Sequence, residues 1–257
     1  MDWTKAAALD REPDAALPAH IHEVSSDGRV AVHPLPDDSP TSCDVLVGAV
    51  EGTRWFARGV AEPTGETVTF RESPNDVVAT ASALVRWHAS DPRCERCHAT
   101  TQPVDQGRRR QCQECGRLLF FRTDPAVIMA VTDPADRLLL ARHASWPEGR
   151  MSVIAGFVEV GESLEQACAR EAMEEVGLHL HSFEYFGSQP WPFPRSLMLG
   201  FTARTDNADA LRVDGEEIVE ASFLTREELT SRLAAQTITL PGPSAIGRAL
   251  IDHWLLQ

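Results

Sequence analysis

The sequence predicts an α+β chain in three parts, and three observations carry that reading. Two Cys-x2-Cys pairs mark a small metal-held module near the middle of the chain. From Pro125 onward, apolar β-rich runs alternate with helical stretches, as they do in a mixed α/β domain. Ahead of the cysteines, turn-rich segments separate short β-like runs before one helical stretch. The boundaries fall at residues 1–88, 89–122 and 123–257.

In the first part, the turns are His33-Pro-Leu-Pro-Asp-Asp and Glu62-Pro-Thr-Gly. They flank β-like runs such as Asp44–Val50 and Thr67–Phe70, and Asp76–His88 reads as a helix. This part offers no catalytic constellation. In the last part, Ala126–Thr132 and Arg137–Ala141 are apolar runs joined by Asp133-Pro-Ala-Asp, which predicts a hairpin. Further strands are expected at Phe183–Gly187, Leu197–Arg204 and Glu220–Phe223, and a helix over Ser244–Leu256. The sequence contains no internal repeat and no low-complexity tract.

Cys94-x2-Cys97 and Cys112-x2-Cys115 lie 14 residues apart. Two knuckles of two thiolates each close a tetrahedral Zn²⁺ site, and four thiolates leave no open position for chemistry. The expectation is one structural Zn²⁺ per chain in a zinc ribbon. His98 lies beside a knuckle but adds nothing to a complete ligand set. Cys43 and Cys168 are left over and read as small buried hydrophobes. Arg108-Arg-Arg in the intervening stretch reads as a solvated loop tip, or as a local contact for a phosphate.

Composition narrows the function classes. With 257 residues and a net charge of −14, the chain is large enough for one sizeable core or two smaller ones. It is too acidic to grip long nucleic acid broadly, because that affinity comes mostly from Lys and Arg neutralising phosphates. A small anionic substrate bridged by metal ions remains compatible. No stretch approaches the roughly 18 apolar residues of a membrane span. The opening MDWTKAAALDREPD has neither a basic n-region nor an apolar h-region. Paired cysteines without a secretory signal point to metal before disulfide, and to a cytoplasmic protein.

The most informative stretch runs from Gly156 to Leu178. Ser163 with Gln166 makes a capping-box start, and Gly177 is a C′ stop, so a helix is expected over Leu164–Val176. Glu171, Glu174 and Glu175 fall within roughly 100° of arc on that helix. Cys168, Ala169, Ala172, Met173 and Val176 fill the opposite side and can pack on a sheet. Three carboxylates so close repel one another. A solvated face would relieve this with interleaved Lys, and none is present; only Arg170 offers a partner. Such a set of hard oxygen ligands suits Mg²⁺ or Mn²⁺.

The whole run resembles the Nudix box, G-x5-E-x7-R-E-U-x-E-E-x-G-U, where U is apolar. Gly156, Glu162, Arg170, Glu171, Glu174, Glu175 and Gly177 match it, with Ala172 and Leu178 at the U positions. The resemblance implies a Nudix α/β/α sandwich with a mixed sheet, and hydrolysis of a nucleoside diphosphate derivative. It implies that Glu171, Glu174 and Glu175 hold the divalent ions with help from the Ala155 carbonyl. Arg170 would orient the glutamates, and Glu162 would support the loop. Downstream, Ser188-Gln-Pro-Trp-Pro-Phe-Pro-Arg-Ser196 resembles the SQPWPFPxS signature of the NADH pyrophosphatase subfamily. Its prolines stiffen the segment by fixing φ, and Trp191 and Phe193 can offer flat faces to a base or anchor the loop.

From this second resemblance follow the substrate NAD(H) and a homodimer. Gln189, Trp191 and Ser196 of the signature become expected substrate contacts, as does Phe157, the aromatic after the box glycine. Glu217 matches an acidic residue that contacts metal or substrate. Where many members carry (Phe/Tyr)-Pro-Arg after the ribbon, this chain reads Phe120-Phe121-Arg122. Phe120 keeps the stacking aromatic while the proline is lost. Removal of NAD caps from RNA 5′ ends breaks the same bond and is the nearest alternative. ADP-ribose or dinucleoside polyphosphate hydrolysis comes next, and a nucleotide-sensing module without catalysis is the reading from another class.

Overall fold

The computed structural model describes residues 9–35, 39–41 and 43–257. The first eight residues and the end of the expected His33–Asp38 turn lie outside the described residues. Contacts divide the chain into two compact units. One contains Asp124–Pro190 and Ser196–Gln257; the other contains the described residues up to Thr123 together with Trp191–Arg195. Among the described residues, no helix is long and apolar enough to cross a membrane.

The unit ending at Thr123 begins with a five-stranded sheet and one helix. Its strands are β1 (Ala19–Ser25), β2 (Val30–Ala31), β3 (Val45–Val50), β4 (Thr53–Val60) and β5 (Thr67–Val68), in the order β3-β4-β1-β2-β5. β1 and β4 run parallel, and the other neighbours are antiparallel. Helix α1 (Asp76–Ala89) starts at Asn75, whose side chain accepts the Val78 N–H. It buries Val78, Ala81, Ser82 and Val85, the i, i+3, i+4, i+7 stripe of a helix packed on a sheet. Val24, Val47, Ala57 and Phe70 meet that stripe. The expected run Asp44–Val50 begins one residue late because Asp44 is a buried anchor. Its carboxylate accepts from the Thr41 N–H and both Nε and Nη2 of Arg58, each at 2.7 Å.

Three short strands follow: β6 (Thr101–Val104), β7 (Arg109–Cys112) and β8 (Leu118–Phe120), paired antiparallel in that order. Two expectations change here. Arg108–Arg110 is no solvated tip, because β7 carries Arg109 and Arg110 into the ribbon sheet. The Arg110 guanidinium is 5% exposed and donates to Thr101 and to His88 Nδ1. Arg108 and Arg109 both pair with Asp105. Cys43, expected buried, is exposed, since it sits in the turn before β3 rather than on a strand.

The second unit is an α/β/α sandwich. Its strands are β9 (Asp124–Thr132), β10 (Leu138–His143), β11 (Ile154–Phe157), β12 (His181–Trp191), β13 (Ser196–Arg204) and β14 (Ile218–Leu224). The order is β12-β13-β9-β10-β14, with β11 also pairing β9. β13 runs parallel to β9 from Ser196↔Asp124 to Arg204↔Thr132, and β10 is antiparallel to both β9 and β14. The mixed sheet is buried on both faces, and β9 shows why its sequence is continuously apolar. Val127, Met129 and Val131 point into one core with helix α2 (Leu164–Val176). Ile128 and Ala130 point into the other with α3 (Arg226–Ala234) and α4 (Ile246–Leu255). α2 has the bounds that its caps predict. Both bonds of the Ser163–Gln166 capping box form, and Gly177 ends the helix at φ 68°.

Candidate active site

The acidic side chains of the second unit gather on α2, against the strand before it. β11 pairs antiparallel with the middle strand β9, which places Ala155 and Gly156 opposite Ile128 and Val127. Glu171 packs directly on Gly156, and a Cβ added there would overlap the Glu171 carboxyl group. The glycine is therefore required by close approach, its φ being unexceptional.

Arg170 ties the acidic side chains together. Its Nε and Nη2 donate to the two oxygens of Glu162 at 2.7 and 3.0 Å. Its Nη1 donates to Glu171 at 2.9 Å and to Glu174 at 3.0 Å. Its Nη2 also donates to the Phe157 carbonyl at 2.8 Å, which joins α2 to the end of β11. A guanidinium fork makes these bonds at once where an ammonium cannot. Arg170 holds the Glu162 carboxyl below the usual range, and the Glu159 N–H donating to Glu162 adds to this.

The three helix glutamates are not equivalent. Glu174 is exposed, with a side chain 61% accessible, while Glu171 is 12% accessible. Glu175 is buried at 4%, on the edge of the apolar face beside Cys168 and Ala172. All three share one arc of the helical wheel, and the 40° step from 171 to 175 turns the last one inward. Burial pushes the Glu175 carboxyl up to about 8, and the charges of Glu171, Glu217, Asp214 and Glu174 push the same way. Burial also raises Glu171, with Arg170 opposing it. Glu175 Oε2 has no hydrogen-bond partner. A buried, unpartnered carboxylate oxygen among further carboxylates is costly for the protein alone and suits a divalent cation.

Glu217 comes from the loop before β14. Asp214, which sequence reasoning overlooked, shapes that loop: its carboxylate accepts the N–H groups of Glu216, Glu217 and Ile218 at 2.8–3.3 Å. The Asp214 N–H in turn donates to the Glu175 carbonyl at the end of α2, at 3.1 Å. The signal in the sequence is Asp214-Gly215, a turn dipeptide immediately before Glu216.

The remaining expected site residues belong to both units. Phe157 is 56% exposed at the end of β11 and keeps a free face. Ser196 is buried at the start of β13. Gln189 is 2% exposed; its Nε2 donates to the Ser244 carbonyl at 2.7 Å and its Oε1 accepts the Ile246 N–H at 2.8 Å. That amide therefore pins the start of α4. Phe120 is 56% exposed on β8 and Trp191 is half-buried, both in the unit that ends at Thr123. There the Trp191 ring meets Phe70 edge-on at 5.9 Å.

The ribbon cysteines gather as expected. The thiols of Cys94, Cys97, Cys112 and Cys115 all lie within 4.8 Å of one another. The Cys94–Cys115 and Cys97–Cys112 sulfur pairs are 3.6 and 3.4 Å apart. A tetrahedral ion with metal–sulfur bonds of about 2.3 Å sets its sulfurs about 3.8 Å apart, so the cluster fits such an ion. Backbone N–H groups of Arg96 and Cys97 draw the Cys94 thiol down to about 6, towards the thiolate.

An α/β/α sandwich whose box glycine, arginine and glutamates converge in this way defines a Nudix domain, and the NUDIX domain profile matches residues 122–240. The NAD-capped RNA hydrolase NudC of Mycobacterium bovis is 40% identical over 240 residues, spanning 84% of this chain and 77% of its own. The NAD-capped RNA hydrolase NUDT12 of Macaca fascicularis is 35% identical over 205 residues, 75% of this chain and 44% of its own. A NUDIX hydrolase structure from Nitrosomonas europaea covers 53% of this chain and 78% of its own, at 22% identity and a TM-score of 0.46. The chain belongs to the Nudix hydrolases, in their NADH pyrophosphatase family.

Proposed function

We propose that this hydrolase cleaves the pyrophosphate bond of NAD(H) with water, giving nicotinamide mononucleotide, reduced or oxidised, and AMP. The observation that carries the reading is the Glu175 carboxylate, buried with an unpartnered oxygen and surrounded by Glu171, Glu217 and Asp214. The signature Ser188–Ser196 and the relatives named NAD-capped RNA hydrolase support the choice of substrate.

In this reading Glu171, Glu174, Glu175 and Glu217, with the Ala155 carbonyl, hold Mg²⁺ or Mn²⁺. When bound, such ions neutralise phosphate charge and lower the pKa of a water. The chain's own contribution is placement. Arg170 keeps Glu171 and Glu174 oriented and fixes the β11 end through the Phe157 carbonyl. The Phe157 ring, exposed on a backbone held by that bond, offers a stacking face to a base. Asp214 sets the Glu217 loop against the end of α2. Gln189 acts on the substrate indirectly, by holding the signature strand to α4. Phe120 and Ser196 serve as substrate contacts. The four ribbon cysteines hold a structural Zn²⁺, and the reading carries with it a homodimer and a cytoplasmic setting.

NAD-capped RNA is the second substrate, favoured by the names of the relatives. The net charge of −14 weighs against a broad grip on the RNA body. Arg108 and Arg109 share the single carboxylate of Asp105, which leaves a net positive charge for a local contact only. Incubation with NADH, NAD, ADP-ribose, diadenosine tetraphosphate and NAD-capped RNA, each with Mg²⁺ and with EDTA, tests the reading. The expected result is metal-dependent release of AMP and the reduced mononucleotide, fastest from NADH. Turnover of ADP-ribose alone would overturn the substrate assignment, and preference for capped RNA would move the second substrate to the front.

A further inference from the structure

Trp191, the last residue of β12, and the turn after it lead to β13 of the catalytic sheet, yet the contacts of Trp191–Arg195 place this signature loop in the unit ending at Thr123. Two arginines of that unit hold it. Arg86, on α1, donates from Nη1 to the Pro192 carbonyl at 2.8 Å and from Nε to the Ser26 carbonyl at 3.0 Å. One guanidinium thus ties the loop to the β1–β2 turn. The same group lies 5.7 Å from the centre of the Phe193 ring. Arg71 lies 4.8 Å from the Trp191 ring and 4.7 Å from the Phe193 ring. Phe70 closes the cluster, meeting Trp191 edge-on, and Trp191 meets Phe193 at 5.4 Å. Within the loop, the Phe193 N–H donates to the Trp191 carbonyl at 2.8 Å.

These contacts use the flat faces that a signature aromatic would otherwise offer to a base. A guanidinium seated over an aromatic ring is attracted by the ring's quadrupole, and a charge-assisted bond to a carbonyl adds direction. We infer that residues 70–86 form a clamp for the signature loop, with Arg71 and Arg86 as positioning residues that set substrate specificity through Trp191, Pro192 and Phe193. This gives the region before the ribbon a task beyond scaffolding. It rests on the reading that the signature loop serves NAD(H), so the test separates the two claims.

The test uses the full-length, zinc-loaded protein and the variants Arg86→Ala, Arg86→Lys and Arg71→Ala. Amide hydrogen exchange of the peptide around Phe193, measured without substrate, reads the clamp directly. Steady-state kinetics on NADH and on ADP-ribose with Mg²⁺ read its consequence. The clamp predicts faster exchange at Phe193 in Arg86→Ala and Arg71→Ala, with partial recovery in Arg86→Lys. It predicts a rise in the NADH KM of roughly 5- to 30-fold in Arg86→Ala, the loss of a charge-assisted contact or two, with kcat held within a few-fold. The ADP-ribose KM should move less. Arg71 is exposed, so Arg71→Ala keeps the test open if Arg86→Ala fails to fold. Unchanged exchange at Phe193 in folded Arg71→Ala and Arg86→Lys would overturn the clamp. Faster exchange with unchanged NADH and ADP-ribose KM would keep the physical contact but overturn its effect on specificity. Absence of NADH turnover in the wild-type protein would instead overturn the substrate reading.

Discussion

Glu171 sits against Gly156 with no room for a Cβ between them. Strand β11 and helix α2 are thereby locked at the point where the acidic side chains converge. Gly156→Ala must push the Glu171 carboxylate aside or open the β11–β9 pairing. A misplacement of about 1 Å in such a site costs roughly 10²-fold in rate. The expected outcome is a kcat lowered by about that factor with folding retained, checked by product release from NADH and by circular dichroism. Wild-type turnover in this variant would show that the contact has no bearing on the chemistry.

Glu175 carries a second prediction, with opposite signs for activity and stability. Glu175→Gln keeps the shape and removes the charge, and kcat should fall by about 10²–10⁴. Stability should respond to pH. The folded-state carboxyl is raised to about 8 from an ordinary value of 4.5, so between those values the folded state holds a proton that the unfolded chain has lost. Stability from this group is therefore full below pH 4.5 and falls as pH rises towards 8. Without added Mg²⁺, Glu175→Gln should match wild type near pH 5 and exceed it near pH 9. Thermal unfolding at the two pH values checks this, and a variant less stable than wild type at pH 9 would contradict it.

Arg170 makes five bonds from one guanidinium, to Glu162, Glu171, Glu174 and the Phe157 carbonyl. Arg170→Lys keeps the charge and loses the fork. Groups that orient metal ligands typically cost 10–100-fold in metal affinity or activity when removed, and a loss of that order is expected. A titration of activity against Mg²⁺ would show the midpoint moving to higher concentration.

Thiol chemistry tests the ribbon. Of the six cysteines, four gather in the ribbon cluster, Cys168 is buried with its thiol pushed up to about 12, and Cys43 is exposed. Native zinc-loaded protein should therefore release about one equivalent of chromophore from a thiol reagent, with Cys43→Ser abolishing it. Denaturation with a chelator should expose all six. Rapid reaction of four or more thiols in the native protein would contradict a closed metal site.

The legible features were those with local causes. α2 follows its capping box and Gly177, and the buried strand β9 follows its unbroken apolar run. The Cys-x2-Cys pairs predicted their own cluster. β1 and β4 escaped notice because His20, His22, Arg54 and Arg58 interrupt their apolar pattern. α3 was missed although Thr225 and Glu228 form a capping box. Other features depend on partners far away in sequence. Gln189 reads as a substrate contact until Ser244 and Ile246 take its amide. Trp191 reads as a stacking face or a loop anchor, and only the contacts of Phe70 and Arg71 give it the anchor role. The inward turn of Glu175 needed the sheet against which α2 packs.

Hydrolysis of the pyrophosphate of NAD(H) at this carboxylate site can be read in a single comparison. The most direct measurement is chromatography of products from NADH and Mg²⁺ with wild-type protein and Glu175→Gln in parallel. The expected result is equal amounts of AMP and reduced nicotinamide mononucleotide from wild type, suppressed by EDTA and lowered at least about 10²-fold in the variant. Equal turnover by the two proteins, or cleavage that ignores EDTA, would contradict it.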